Sequence, residues 1–338
     1  MRRHTTYQPT FRLGENMDYV RLGRAGVKVS RLCLGTAFRG YWHGHTDEAT
    51  AVRTVETALD LGCNFLDCAN FYFQGRCEEL LGKAIKGKRD NLVITTKVWS
   101  PIGDGPNDRG LSRFAIMREI ERSLKRLNTD YVDIYLLHNW DPDTKLDETL
   151  RAFDDLVRQG KVRYVGACNF TAAQVVEALW TADRGGMDPL FTLQNQYNLL
   201  HRWHVEPELL PLCRQYGLGM MTYSPLAVGL LSGRFRRGQK PPTDSAWQDD
   251  DRFAAAMSEQ AERIVQKLTE IGRAQDKTPA QVAVAWILAN EDVTAPIIGP
   301  DRPEHVEEVF GALEVELGDE ELAALDALSQ WTPLARTH

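Results

Sequence analysis

Long apolar runs are missing from this sequence, and so is an excess of basic residues. No uninterrupted apolar stretch approaches the roughly 20 residues that a membrane-spanning helix needs. Lysines and arginines number 40 against 47 aspartates and glutamates, and the net charge of −7 argues against nucleic acid or an anionic membrane as a partner. Met1–Asn16 carries an early Arg2-Arg3 pair but no apolar core. We therefore expect no signal peptide and a cytoplasmic protein.

Paired cysteine motifs are also absent. Without a CxxC pair among them, the cysteines are scattered along the chain at Cys33, Cys63, Cys68, Cys77, Cys168 and Cys213. A zinc site built from Cys63, Cys68 and Cys77 would draw on a strand start, a strand end and the following helix, which is a poor ligand arrangement. Because several cysteines lie in apolar stretches, where a thiol behaves as a small hydrophobe, we expect reduced thiols and no metal.

A glycine-rich phosphate-binding turn is the third missing feature. A doubly wound sheet that binds a dinucleotide carries such a turn after its first strand, whereas this sequence reads Leu34-Gly35-Thr36-Ala37 there. The composition is otherwise that of a globular protein, with 43% hydrophobic and 26% charged residues over 338 positions, enough to bury a sizeable core. A doubly wound architecture is therefore disfavoured.

Short apolar runs alternate with amphipathic stretches along most of the chain. The runs are apolar almost throughout, as expected of strands covered on both faces. The predicted strands are Arg31–Gly35, Asn64–Asp67, Leu92–Lys97, Val132–His138, Val162–Ala167, Phe191–Asn195, Gly219–Tyr223 and Thr294–Ile298. The clearest helices are Asp47–Leu61 after Thr46, Arg113–Leu127 after Ser112, Ala172–Ala182 after Thr171, and Gln281–Ala289 after Thr278-Pro279. This alternation predicts an α/β protein with a (β/α)8 (TIM) barrel.

The segment before the first barrel strand predicts a β-hairpin. Tyr19–Ser30 has two alternating runs around Gly23–Gly26, placed to close the barrel floor. Residues 1–16 are interpreted as a flexible extension, which leaves residues 17–338 as a single barrel domain. Two irregular stretches, Ser100–Gly110 and Pro225–Asp251, follow strands. We expect both at the face where barrels carry their chemistry.

Ionisable residues end three successive predicted strands. Asp67 ends the second strand, Lys97 the third and His138 the fourth, while Tyr72 lies on the loop just after Asp67. Each residue alone has an ordinary interpretation: an ion-paired carboxylate, a solvated lysine or a core histidine. Because strand ends of a parallel barrel meet at one face, the four together predict a catalytic site.

These four side chains suit the protonation of a carbonyl oxygen. A phenol with a pKa near 10 is a poor acid at neutral pH unless its anion is stabilised. A neighbouring ammonium lowers the phenol pKa, a carboxylate holds the ammonium in place, and an imidazole orients the oxygen. We therefore assign Tyr72 as general acid, Lys97 as the modulator of its pKa, and Asp67 as the anchor of Lys97. His138 is assigned to orient the carbonyl group.

Longer segments carry a family resemblance. From Met17 onwards the chain contains, in order, FLDCANFY, ITTKV, YLLHNWD, GKVRYVGACNF, LQNQYN and YSPLAVGLLSG. Together they resemble the aldo-keto reductase superfamily, in its bacterial and potassium-channel β-subunit branch. The resemblance implies a nicotinamide-dependent oxidoreductase that interconverts aldehydes or ketones and alcohols. It also implies a dinucleotide bound in extended form, NADPH by family habit, with NADH possible.

The resemblance assigns cofactor contacts residue by residue. The matching positions are Thr36, Asp67, Cys168, Asn169, Gln194, Tyr223, Ser224, Pro225, Leu226, Ala227, Arg234, Gly299, Asp301, His305 and Glu308. Asn169 is expected at the nicotinamide carboxamide, Tyr223 against the nicotinamide ring, and Arg234 at a phosphate. Asp301 departs from the family, whose NADPH-binding members often have a basic residue there. A carboxylate repels a 2′-phosphate and accepts from a ribose hydroxyl, although the adjacent Arg302 offers a substitute.

Aromatic residues just past strand ends predict an apolar wall for the substrate. They are Trp42, Phe71, Phe73, Trp99 and Trp140. Such a wall favours aromatic or otherwise bulky carbonyl compounds over small charged sugars. The expected partner is a small molecule, and both a monomer and a homo-oligomer remain open.

Two other functions compete with a reductase. A cofactor-binding regulatory subunit is one, since channel β subunits share the resemblance. A metal-dependent barrel hydrolase is the other. It would need histidine and carboxylate ligands at several strand ends, and Lys97 occupies one of these positions.

Overall fold

The computed structural model describes residues 17–248 and 250–330, so the extension predicted over residues 1–16 lies outside the described residues. The strands are β1 (Tyr19–Arg21), β2 (Lys28–Ser30), β3 (Cys33–Gly35), β4 (Phe65–Asp67), β5 (Val93–Val98), β6 (Val132–Leu137), β7 (Val162–Cys168), β8 (Leu190–Gln196), β9 (Gly219–Tyr223) and β10 (Ala295–Ile298). The helices are α1 (Arg39–Trp42), α2 (Glu48–Asp60), α3 (Arg76–Ala84), α4 (Arg113–Leu127), α5 (Leu146–Arg158), α6 (Ala172–Gly185), α7 (Leu210–Tyr216), α8 (Phe253–Ala256), α9 (Glu259–Ala274), α10 (Pro279–Leu288), α11 (Pro303–Phe310) and α12 (Asp319–Leu328).

Strands β3 to β10 form a closed, all-parallel barrel. Neighbours follow chain order, and β10 pairs with β3 to complete the ring. Helices cover the outer face, so β4 and β5 are buried at every position. The predicted (β/α)8 barrel is confirmed, and each predicted strand agrees with an observed one to within two residues at either end.

The hairpin closes the barrel floor, as the sequence predicts. Strand β1 pairs antiparallel with β2, with Val20 opposite Val29. Leu22 and Val29 are fully buried and join the cluster of apolar side chains inside the barrel, which includes Phe65 and Ile134. The Arg24 amide donates to the Gly217 carbonyl at 2.7 Å, which ties the hairpin tip to the start of β9.

Three of the predicted helix starts have the expected caps. Ser112 accepts from the backbone of α4, and Thr171 and Thr278 each form reciprocal capping boxes at the starts of α6 and α10. Helix α6 continues to Gly185, three residues past its predicted end, where Gly186 adopts the left-handed conformation that terminates it.

The cap of α2 corrects the sequence prediction. Asp47, which we placed inside the helix, is the N-cap, and its carboxylate accepts from the Thr50 amide at 2.7 Å. Thr46, the predicted cap, lies one residue outside. Both residue types cap helices well, so the choice depends on where the loop from β3 delivers the chain.

The cysteines are all free and buried. Across residues 17–248 and 250–330, no group of three or more His, Cys, Asp or Glu side chains is arranged to hold a metal. None of the helices within these ranges is long and apolar enough to cross a membrane.

Candidate active site

The carboxyl ends of β4, β5 and β6 bring the predicted tetrad together. Asp67 is the last residue of β4, Lys97 lies near the end of β5, and His138 directly follows β6. Tyr72 begins a short helical turn that follows β4 and leads into α3. The structure thus places all four side chains at one mouth of the barrel.

Lys97 is the centre of the cluster. Its side chain is fully buried, and Nζ donates to Asp67 Oδ2 at 2.7 Å and to the Cys68 carbonyl at 2.6 Å. Nζ also lies 3.5 Å from the Tyr72 hydroxyl. Burial alone would lower the Lys97 pKa, but the charges of Asp67 and its other neighbours raise it above the ordinary value. Lys97 is therefore an ammonium at neutral pH.

The second oxygen of Asp67 is held by two residues from other strands. Thr95 donates its hydroxyl to Oδ1, and Gln194 donates Nε2 to the same oxygen at 2.8 Å. Sequence reasoning missed Thr95, although it lies two residues before Lys97 on a strand and so shares its face. Gln194, expected near the nicotinamide, contacts the tetrad itself.

The Tyr72 hydroxyl is affected by burial and by Lys97 in opposite directions. Burial raises the Tyr72 pKa and is the largest effect, while the Lys97 ammonium lowers it. The net pKa lies above its ordinary value, so Lys97 acts in the predicted direction without outweighing desolvation. Tyr72 is a protonated phenol in this environment.

His138 is a neutral imidazole. Burial, with the positive charge of Lys97, lowers its pKa from 6.5 to about 3. Its ring packs against Phe71, with centroids 5.3 Å apart, and lies edge-on to the Tyr72 ring at 6.2 Å. Within the described part of the chain, His138 Nδ1 is buried without a hydrogen-bond partner.

Three of the predicted wall residues form one aromatic cluster with Tyr72. The Trp42 ring lies 6.2 Å from Tyr72 and stacks on Phe73 at 5.8 Å, and Phe71 contacts Tyr72 at 5.0 Å. Tyr41, which sequence reasoning missed, packs on Phe73 at 5.5 Å. Its position directly before Trp42 was the available signal.

The remaining predicted wall residues lie on later loops. Trp140 packs edge-on against Phe170 at 5.3 Å. Trp99 is partly buried against the core directly after β5.

The predicted nicotinamide contacts form a hydrogen-bonded set between β6, β7 and β9. Asn169 donates from Nδ2 to the His138 carbonyl at 3.1 Å, and Tyr223 donates its hydroxyl to Asn169 Oδ1 at 2.8 Å. Cys168 ends β7 and is buried, and Thr36 donates to the Asp67 carbonyl at 3.0 Å.

The other predicted cofactor contacts follow β9 and β10. Those after β9 are Ser224, Pro225, Leu226, Ala227 and Arg234; those after β10 are Gly299, Asp301, His305 and Glu308. Arg234 pairs with Asp244 at 2.8 Å. Asp301 Oδ1 accepts from the Gly40 amide at 2.8 Å, so this carboxylate faces the short helix α1 that follows β3.

The fold and this cluster define the class: a (β/α)8 barrel with interacting ionisable side chains at the carboxyl ends of its strands. Residues 31–330 match the model of the Aldo/keto reductase family, and the chain belongs to that family.

Named relatives include an oxidoreductase and channel subunits. The chain is 41% identical over 321 residues to the uncharacterized oxidoreductase YrpG of Bacillus subtilis, which covers 92% of this chain and 95% of the relative. It is 36% identical to a probable voltage-gated potassium channel subunit beta of Arabidopsis thaliana, over 88% and 92% of the two chains. A putative channel subunit beta of Schizosaccharomyces pombe is 35% identical over 98% and 97%. The family and the oxidoreductase relative together support an oxidoreductase.

Proposed function

We propose that the protein reduces aldehydes or ketones to alcohols with NAD(P)H, and oxidises alcohols in the reverse direction, with Tyr72 as general acid and base. The observation that carries this proposal is the position of the Tyr72 hydroxyl, 3.5 Å from a buried Lys97 ammonium that is itself bonded to Asp67.

The tetrad supports proton transfer to a carbonyl oxygen. Tyr72 donates its hydroxyl proton as negative charge develops on that oxygen, and Lys97 stabilises the phenolate that remains. Asp67 keeps Lys97 in place through Oδ2. His138, neutral because its pKa is about 3, can donate a ring N–H to the same oxygen without repelling the ammonium.

The loops after β7 and β9 fit a nicotinamide dinucleotide. Asn169, Ser224, Ala227 and Val228 all have left-handed backbone, with φ of 59°, 55°, 48° and 57°. Strain of this kind in non-glycine residues concentrates at ligand sites, where the surrounding structure enforces it. When bound, the reduced nicotinamide supplies the hydride. Asn169 supplies amide groups, and Tyr223 an aromatic face, next to His138.

Two charged residues near the start of α11 bear on the choice between NADPH, which carries a 2′-phosphate, and NADH, which does not. Asp301 adds negative charge near the start of α11, while Arg302 Nη2 donates to the His45 carbonyl at 2.8 Å. NADPH remains the favoured cofactor by family, with NADH as the alternative. We place the protein in the cytoplasm, where free thiols such as its cysteines persist.

The aromatic wall supports bulky, apolar carbonyl substrates. Trp42 and Phe71 flank Tyr72, and Phe73 extends the wall by stacking on Trp42, so an aromatic aldehyde can stack while its oxygen reaches the hydroxyl. A panel of aromatic aldehydes, ketones and sugars measured at equal concentration tests this preference.

Replacing Tyr72 by Phe tests the general acid. With NADPH and 4-nitrobenzaldehyde, we expect kcat to fall by about 10²–10⁴-fold because the proton donor is lost. Cofactor affinity, measured by quenching of protein fluorescence, should change little. Tyr164→Phe is the matched control, because Tyr164 lies at the barrel floor against Phe191. Near-wild-type turnover in Tyr72→Phe would show that another group donates the proton.

A regulatory subunit is the second candidate, favoured by the channel-subunit relatives. It predicts stoichiometric cofactor binding with no turnover across a panel of aldehydes, ketones and secondary alcohols. Turnover that Tyr72→Phe abolishes would favour the enzyme.

A further inference from the structure

Two buried carboxylates lie behind the Tyr72 turn, on the outer side of the barrel wall. Glu78 on α3 is fully buried, and Glu119 on α4 is 2% exposed. The hydrogen bonds and ion pairs of the two carboxylates go to residues other than Asp67, Lys97 and His138. Burying a charge costs free energy unless the charge is paired or hydrogen-bonded. The partners of these two carboxylates therefore show which segments of the chain they hold in place.

Glu78 contacts the strand that carries Lys97. Its Oε1 accepts from the Thr96 hydroxyl at 2.5 Å, and its Oε2 accepts from Arg126 Nε at 2.6 Å. Successive residues of a strand point to opposite faces, so Thr96 faces the helices while Lys97 faces the cleft. Glu78 therefore fixes β5 at the residue next to Lys97.

Glu119 contacts the loop that carries Tyr72. Asn70 is fully buried, and its Nδ2 donates to Glu119 Oε2 at 3.2 Å. Among the residues that the structure describes, Asn70 Oδ1 has no partner. The Asn70 side chain is thus oriented through one side-chain bond, while the backbone N–H of Asn70 donates to the Lys97 carbonyl at 3.4 Å.

Arg126 joins both carboxylates and also contacts the far end of the Tyr72 turn. Its Nη2 lies 3.8 Å from Glu119 Oε2. At Gly75, where φ is +88°, an added Cβ would lie 2.7 Å from Arg126 Cδ. Asn70 therefore anchors the chain just before the turn Tyr72–Gly75, and Arg126 packs against the last residue of the turn.

We infer that Asn70, Glu78, Glu119 and Arg126 form a positioning network that sets the separation of Tyr72 and Lys97, and through it the acid strength of Tyr72. The inference rests on the proposed function, in which Lys97 stabilises the Tyr72 phenolate. A purely structural role would hold α3 and α4 to the barrel without affecting that separation.

Replacing Asn70 by Ala tests the network. We expect kcat to fall by about tenfold with KM within about twofold. We also expect the pKa seen in the pH profile of alcohol oxidation to rise by ~0.5–1 unit, because Lys97 stabilises a more distant phenolate less. Arg126→Lys keeps the charge but loses the guanidinium that reaches both Glu78 and Glu119, and should shift the same pKa upward by less.

Asn64→Ala is the matched control. Asn64 is also a buried amide, directly before β4, and it bonds the hairpin through Ser30 and Lys28 instead of the helices. It should lose stability and leave the pH profile unchanged. If Asn70→Ala does not fold, the pKa measured for Arg126→Lys tests the inference by itself. The inference is overturned if the pKa from the pH profile lies within about 0.2 unit of the wild-type pKa in every folded variant of Asn70 and Arg126.

Crystal structures separate this inference from the proposed function. Absence of turnover in the wild type would contradict the function alone. In that case the distance between Lys97 Nζ and the Tyr72 hydroxyl, compared between wild type and Asn70→Ala, still tests the network. An increase of about 0.5 Å or more supports positioning, and an unchanged distance overturns it.

Discussion

At the scale of single residues, the site derives its chemistry from contacts and not from residue type alone. Lys97 is charged although it is fully buried, because Asp67 lies 2.7 Å away. His138 is neutral because it is buried beside that same ammonium. In the proposed mechanism, Lys97 keeps its charge and His138 stays neutral, so Tyr72 is the group that transfers the proton.

His138 makes stability depend on pH. Its pKa is 6.5 ordinarily and about 3 in the fold, so below pH 6.5 the unfolded chain binds a proton that the folded chain does not. Folding stability therefore falls as pH drops from 6.5 towards 3. Between pH 6.5 and 4, the free energy of unfolding of the wild type should fall by about 1–3 kcal/mol more than that of His138→Gln. Urea titrations of both proteins measure this, and parallel curves would contradict it.

Asp301 allows charge and structure to be tested separately. Asp301→Asn keeps an oxygen for the Gly40 amide and removes only the negative charge. We expect the ratio of kcat/KM for NADPH over NADH to rise about fivefold, the equivalent of roughly 1 kcal/mol of relieved repulsion. Asp301→Ala, which loses the Gly40 bond as well, is the comparison. An unchanged ratio in Asp301→Asn would show that the carboxylate does not face the 2′-phosphate.

At the scale of elements, strand β5 serves two different surfaces. Thr95 and Lys97 face Asp67, and Thr96 between them faces Glu78. The period of two in a strand makes this separation automatic. The sequence TTK therefore places one hydroxyl with the tetrad and the other with the outer network.

The start of α2 provides an element-scale prediction. Asp47→Ala should lower the Tm because the Thr50 amide loses its acceptor, whereas Thr46→Ala should leave it unchanged. Differential scanning fluorimetry of both variants checks this. Equal Tm values for the two variants would contradict Asp47 as the cap.

At the scale of the whole molecule, closure of the barrel makes the site. Asp67 and Gln194 are separated by 127 positions in sequence, yet their side chains meet at 2.8 Å. The parallel register carries each strand end to the same mouth, and the hairpin fills the opposite end. The candidate active site and the hairpin therefore lie at opposite ends of one barrel.

Leu22 tests the contribution of the hairpin. It is fully buried inside the barrel floor, so Leu22→Ala should lower the free energy of unfolding by about 2–5 kcal/mol through the cavity it leaves. Leu61→Ala, at a side chain that is 37% exposed, is the matched control and should cost far less. Chemical denaturation gives both values. Similar losses in the two variants would show that the hairpin does not support the barrel.

The sequence by itself determined the barrel, its strands, and the position of Asp67, Lys97 and His138 at strand ends with Tyr72 on the loop after Asp67. Periodicity and the apolar character of buried strands are local signals, and ionisable residues at the ends of such strands stand out against them. The caps of α4, α6 and α10 were also readable, because a capping side chain bonds within its own first turn.

Only the tertiary structure decided which groups meet. Thr95 on Asp67, Asp301 on Gly40, and Glu119 behind Asn70 are contacts between separate elements, fixed by register and helix packing. The sign of the Tyr72 pKa shift was decided in the same way. A neighbouring lysine is visible in the sequence, whereas the desolvation that outweighs it depends on how tightly the folded chain surrounds the hydroxyl.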